Sequence, residues 1–207
     1  MASKNWSIQT RFLHLGLVIT VSLQLLTSLI MSEPGEHEGF IGGIAFEIHE
    51  LLGLTALVIV GAHWIWSIFC QSDGGISHLL PWSKQARQHV IADLNHLRAG
   101  DFSKLHKKGG LSGLIHGLGL LAVSVVALTG AFLPMSGEPG LFADAFMEIH
   151  EGLASLVWIY WIGHAGVALL HHASGSDVLK HMFSFGRLAK VRKDGGLSSE
   201  EHLPISK

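Results

Sequence analysis

Polar positions thin out four times along this chain, each time for about the length of a membrane crossing. Phe12–Met31, Leu51–Cys70, Leu111–Met135 and Gly152–Leu170 are almost free of charge, and about 20 apolar residues in a helix span the hydrocarbon core of a bilayer. With their flanks, these windows predict spans at about 11–31, 44–70, 111–135 and 144–172. The expected fold class is all-α integral membrane, a four-transmembrane-helix bundle filling a single domain over 1–207. Composition agrees: 14% of residues are charged and mean hydropathy is +0.41, whereas soluble domains carry about 25% charged residues.

Charge then orients the bundle. All fourteen Lys and Arg lie in the N-terminal segment, the middle loop 71–110 or the tail 173–207. The loop after the first span carries Glu33, Glu36 and Glu38, and the loop after the third carries Glu138 and Asp144, with no Lys or Arg in either. The positive-inside rule predicts cytoplasmic termini and middle loop, with the two acidic loops outside. The N-terminus has no small-x-small cleavage site after a short apolar stretch, so the first span reads as an uncleaved anchor. Within the middle loop, Ser83–Leu97 reads as a short amphipathic helix, N-capped by Ser83, with Val90, Leu94 and Leu97 on one face and Gly100 ending it. A polar connector and a partner-docking helix are equal readings of it. Cys70 is the single cysteine, which excludes an intramolecular disulfide, and no C-x-x-C-H attaches a c-type haem.

The two halves repeat. His14 and His116 open spans one and three, LLTSLIMSEPG (25–35) echoes ALTGAFLPMSGEPG (127–140), and EIHE occurs at 47–50 and 148–151. The offset is 102 residues for His14/His116 and 101 for His49/His150 and His63/His164. A duplicated two-span unit gives a pseudo-twofold axis along the membrane normal. Fourteen residues separate His49 from His63 and His150 from His164, a rise of about 21 Å that returns close to the same helix face. An outer layer of two histidines (His49, His150) and an inner layer of four (His14, His63, His116, His164) follows.

Ionisable side chains within a bilayer are costly and mark function, and imidazole is the commonest metal ligand. Neither EIHE continues as H-E-x-x-H, so a zinc-protease site is a poor fit. Facing histidines at matched depth among apolar residues suit bis-histidine haem. Gly16, Gly53, Gly117, Gly119, Gly152, Gly163 and Gly166 would either make room for a macrocycle or let helices approach closely. Glu47, Glu50, Glu148 and Glu151 read as solvated helix ends, with proton carriage or partner contact as the alternative. Trp64, Trp66, Trp158 and Trp161 read as packing or lipid-facing rather than as an electron path. His171 and His172 sit at the inner interface, snorkelling or contacting a propionate or quinone.

Arg11-Phe12-Leu13-His14, and His164 followed by an apolar stretch and the pair His171-His172, resemble the bacterial cytochrome b561 family, which includes the cytochrome b subunits of nickel hydrogenases and formate dehydrogenases. The likeness covers about residues 8–172. It implies two b-type haems whose iron is held by His49 and His150 outside and by His14 and His164 inside. It also implies electron transfer between a quinone pool and a partner. Two departures stand out: Leu15 replaces the usual aromatic, and His63 stands where a basic residue is common. With His116, His63 mirrors the inner pair and marks a candidate third haem; a propionate or quinone contact or proton uptake is the alternative.

The expected function is thus a membrane cytochrome in the bacterial inner membrane, multi-pass, passing electrons between quinone and an outer-side c-type cytochrome or dehydrogenase subunit. Lipid surrounds it, a homodimer stays open, and no nucleic-acid partner is expected. A stand-alone superoxide:quinone oxidoreductase is an alternative, although its anionic substrate would favour a basic outer pocket. A metal-ion or proton transporter using the histidines as transient ligands is another; a plain membrane anchor needs no layered histidines.

Overall fold

The structure, a computed structural model, describes residues 6–32, 39–69, 75–101, 110–133, 140–173 and 182–183. Cys70, Glu33, Glu36, Glu38, Glu138 and most of the tail lie outside the described residues, as does the side chain of His171. Among the described residues the chain forms four long helices, α1 (Ile8–Thr27), α2 (Phe40–Phe69), α5 (Gly110–Phe132) and α6 (Leu141–Ala173), with the short α3 (Ile76–Leu79) and α4 (Lys84–Arg98) between the halves. All four long helices are long and apolar enough to cross a membrane.

Their ends differ in places from the hydropathy windows, for local reasons. α1 begins at Ile8 because Ser7 caps it, its Oγ accepting the Thr10 N–H at 3.2 Å. At 20 residues, α1 is about 30 Å long, close to the thickness of the hydrocarbon core. α2 and α6 have 30 and 33 residues, about 45–50 Å, so each extends past the core.

The bundle turns the soluble-protein pattern inside out. Large apolar side chains face outward, with Val58 72% and Ile159 69% exposed, while the interior is made of Ala45, Ala56, Val60, Gly117, Gly119 and Ala127. Lipid solvates the outer side chains, and small inner residues let backbones approach. Hydroxyls inside the spans bond to their own helix, as Thr20 does to Gly16 O at 2.8 Å, so such a hydroxyl does not leave its hydrogen in hydrocarbon.

α1 packs on α2, α5 on α6, and α2 on α5. Two indole bonds join the halves: Trp64 on α2 donates to Ser124 on α5 at 2.9 Å, and Trp161 on α6 donates to Ser22 on α1 at 2.9 Å. Ser22 and Ser124 are repeat-related positions, so the two seams are fastened in the same way. Trp66 likewise donates to Thr10 at 3.1 Å, and Trp158 meets Trp161 edge-on. Three of the four tryptophans therefore join helices, as the packing alternative expected.

α4 is the amphipathic helix expected from sequence. Ser83 caps it through Ala86 N–H at 3.0 Å, and Gly100 closes it at φ 71°, the left-handed conformation glycine adopts without strain. Its packed face is centred elsewhere than expected: Leu94 is 40% exposed, whereas Asp93 is 1% exposed. The Asp93 Oδ2 accepts the Leu111 N–H at 2.9 Å. A carboxylate therefore meets the positive end of the α5 dipole, pinning α4 against the end of α5 that leads to His116. Asp93→Ala is expected to cost about 1–3 kcal/mol, against about 1 kcal/mol for Ser83→Ala. Thermal unfolding in detergent would check this, and equal losses would count against the Asp93 anchor.

Candidate functional site: paired histidines at two depths

At the level of EIHE, α2 and α6 bring the rings of His49 and His150 together edge-on, centroids 6.4 Å apart and planes at 72°. In the other layer, α1 and α6 bring His14 and His164 together at 6.2 Å and 59°. Metal–imidazole bonds run about 2.0–2.1 Å and a ring centroid lies roughly 1.1 Å behind its nitrogen, so imidazoles on opposite sides of one metal place their centroids about 6.3 Å apart. Both pairs meet that spacing, in two layers and from different helix combinations.

The His49/His150 pair is held in one tautomer. His150 Nδ1 lies 3.0 Å from Val126 O and 3.2 Å from Thr129 Oγ1. A carbonyl only accepts, so Nδ1 carries the proton and Nε2 keeps its lone pair. In the first half, the Thr27 hydroxyl donates to Leu23 O at 2.9 Å and Gln24 O at 3.0 Å. Its oxygen then accepts from His49 Nδ1 at 3.1 Å. Thr129 is wired in the same way, donating to Val125 O at 2.9 Å and Val126 O at 3.0 Å. Both histidines thereby present Nε2, the form a metal needs, with the ring fixed by a partner behind it.

Gly130 completes this layer. A Cβ there would sit 2.9 Å from His150 Cε1, so the absence of a side chain is what admits the ring. Of the glycines expected to make room, Gly152, Gly163 and Gly166 have nothing within 4 Å of a Cβ, while Gly16 is closed by Ile59 at 3.2 Å. Gly53 meets Gln24, Gly117 meets the Leu79 backbone, and Gly119 receives the Tyr160 ring. The close-approach reading holds at Gly16, Gly117 and Gly119.

The His14/His164 layer is built from rings. Tyr160, the one tyrosine of the chain, stacks on His164 at 5.4 Å and 15°. Phe183 covers His14 at 6.0 Å, and Arg11, 5% exposed, donates from Nε to Met182 O at 2.9 Å, holding that short segment in place. His14 Nδ1 is buried with no hydrogen-bond partner. An orphaned imidazole nitrogen in an apolar bundle is costly, and coordination through that nitrogen would satisfy it. His116 lies edge-on to His164 at 5.0 Å, too close for a metal between them, and donates from Nδ1 to Ser112 O at 2.7 Å. His63 pairs its Nδ1 with Ser67 Oγ at 3.3 Å. The structure thus sets the His116 ring against His164, with His63 in electrostatic reach of His116.

Glu47, Glu50, Glu148 and Glu151 are all exposed around the His49/His150 end, and His172 is exposed beyond His164. Sequence reasoning did not single out Thr27, Thr129, Gly130, Tyr160 or Phe183. The threonines carried a readable signal, because they lie within the echoed segments at the same 102-residue offset as His14 and His116.

Taken together, four imidazoles form two opposed pairs, and the donor set fits haem iron better than a bare cation. No group of three or more His, Cys, Asp or Glu gathers to hold a metal ion among the described residues. A family model for prokaryotic cytochrome b561 matches residues 5–185. No curated protein and no solved structure matches the chain. The chain belongs to the prokaryotic cytochrome b561 family, and is a bacterial membrane b-type cytochrome of electron transfer.

Proposed function

We propose that this cytochrome carries two haems, one between His49 and His150 and one between His14 and His164, and moves electrons across the membrane between quinone and a redox partner. The observation that carries this reading is the pair of centroid separations, 6.4 Å and 6.2 Å, each fitting one metal between two imidazoles. Two haems rather than three are favoured by the His116 ring lying 5.0 Å from His164, where it packs edge-on against a ligand of the other pair. His63 and His116 are then polar contacts for a propionate or quinone, or sites of proton uptake.

Bound haem supplies a one-electron iron couple at each layer. The residues supply the rest. His49 and His150 are aimed by Thr27 and Thr129, and the small interior and apolar exterior keep water from both layers. The Lys and Arg distribution supports an orientation with α4 and both termini in the cytoplasm. The His49/His150 end then faces outward, where Glu47, Glu50, Glu148 and Glu151 favour a partner with a basic face, such as a c-type cytochrome, or a dehydrogenase subunit. Near the His14 end, an apolar groove of about 650 Å³ between α1 and α2, lined by residues including Phe12, Leu13, Ile65 and Trp66, suits the isoprenoid chain of a quinone.

Vesicles loaded with quinol and the haem-replete protein, with ferricyanide confined to one face, test this function. Ferricyanide at the His49/His150 face should be reduced faster than in protein-free vesicles, and His49→Ala should return the rate to that background. Wild-type rates in His49→Ala would overturn the reading, as would metal-dependent ion flux by a haem-free protein.

Gly130→Ala is expected to strain the His150 ring by about 1–3 kcal/mol, weakening haem retention at that layer alone. Gly152→Ala, with nothing within 4 Å of its Cβ, should leave haem content unchanged. Haem per polypeptide after extended dialysis reads the difference.

A further inference from the structure

The two layers hold their histidines by different chemistry. His49 Nδ1 reaches Thr27 Oγ1 at 3.1 Å, and His150 Nδ1 reaches Val126 O at 3.0 Å and Thr129 Oγ1 at 3.2 Å. His14 Nδ1 is buried without a partner, and its ring and that of His164 are held by Phe183 and Tyr160. A hydrogen bond from Nδ1 makes an imidazole more basic and a better electron donor to a metal on Nε2. Stronger donation stabilises the oxidised, more positive metal and lowers its reduction potential.

Charge acts in the same direction. Glu47, Glu50, Glu148 and Glu151 are exposed at the His49/His150 end, and the two loops at that end carry no Lys or Arg. Negative charge nearby also favours the oxidised metal. These carboxylates are exposed and screened by salt, so the hydrogen-bonded ligands are the more persistent cause.

We propose that Thr27, with Thr129 and the Val126 carbonyl, acts as a positioning group that lowers the potential of the His49/His150 haem site below that of the His14/His164 site, through the hydrogen bonds behind the two ligands. This rests on the two-haem reading above and deepens it. A single electron placed on the protein then settles at the His14/His164 site. One iron is oxidised as the other is reduced, and no further reactant is required. With the orientation proposed above, that electron rests on the cytoplasmic side until an acceptor at either face takes it.

Potentiometric titration of the purified, haem-loaded protein, followed in the visible haem bands, tests this. Two waves are expected, separated by at least tenfold in the electron's distribution, which is about 59 mV for a one-electron couple. The lower wave should be the one missing from His49→Ala, with His150→Ala as the second assignment. Thr27→Val should move that lower wave upward and leave the other in place, and Thr27→Ser should restore it. Thr20→Val removes a buried hydroxyl that bonds only its own helix, and should move neither wave. The inference is overturned if the wave lost in His49→Ala is the higher one, or if Thr27→Val shifts both waves equally or neither. A single wave in haem-replete protein would overturn the two-haem reading itself, and this inference with it.

Discussion

An imidazole placed among hydrocarbon has two ring nitrogens to satisfy and almost no water with which to do it. This constraint shapes the whole interior of the protein. In the His49/His150 layer, Nδ1 of each ring is spent on a threonine oxygen or a carbonyl of the neighbouring helix. That leaves Nε2, and a lone pair in an apolar bundle is tolerated only if something accepts it. A metal between two such rings would answer for both at once, at the separation of 6.4 Å that the helices impose.

The rest of the bundle can be understood as what holds these rings opposite one another. Glycine and alanine bring backbones close enough for a short histidine to reach across. Gly130 gives up a side chain where His150 stands, and Gly119 does so where Tyr160 stacks on His164. The indoles of Trp64 and Trp161 fasten the two halves at repeat-related serines. Asp93 ties the surface helix to the start of α5. Each device acts on helix position, which a pair of opposed ligands tolerates only within a few tenths of an ångström.

Much of this was legible in the sequence, because the constraint leaves a periodic trace. The four apolar windows appear as helices, and the repeated EIHE segments do carry two histidines that meet. What sequence could not convey is which of four histidines in the other layer would face which. The repeat suggests His63 with His116 as the mirror of His14 with His164. The offset is 102 residues along α1 and α5 and 101 along α2 and α6, so the register within each helix is kept and the repeat does not say how the four rings of this layer turn. His116 lies edge-on against His164, and His63 bonds Ser67. Phe183 was equally out of reach, since nothing in its local pattern says that it folds back on His14.

The central claim is that four histidines work as two defined pairs. It is tested most directly by haem stoichiometry in His14→Ala, His49→Ala, His150→Ala and His164→Ala, measured per polypeptide as pyridine haemochrome beside the unaltered protein. The account predicts two haems in the parent and one in each variant. His49→Ala and His150→Ala should lose the same spectral component, and His14→Ala and His164→Ala the other. A parent without haem, or a variant of His49 that loses the component shared with His14, would contradict it.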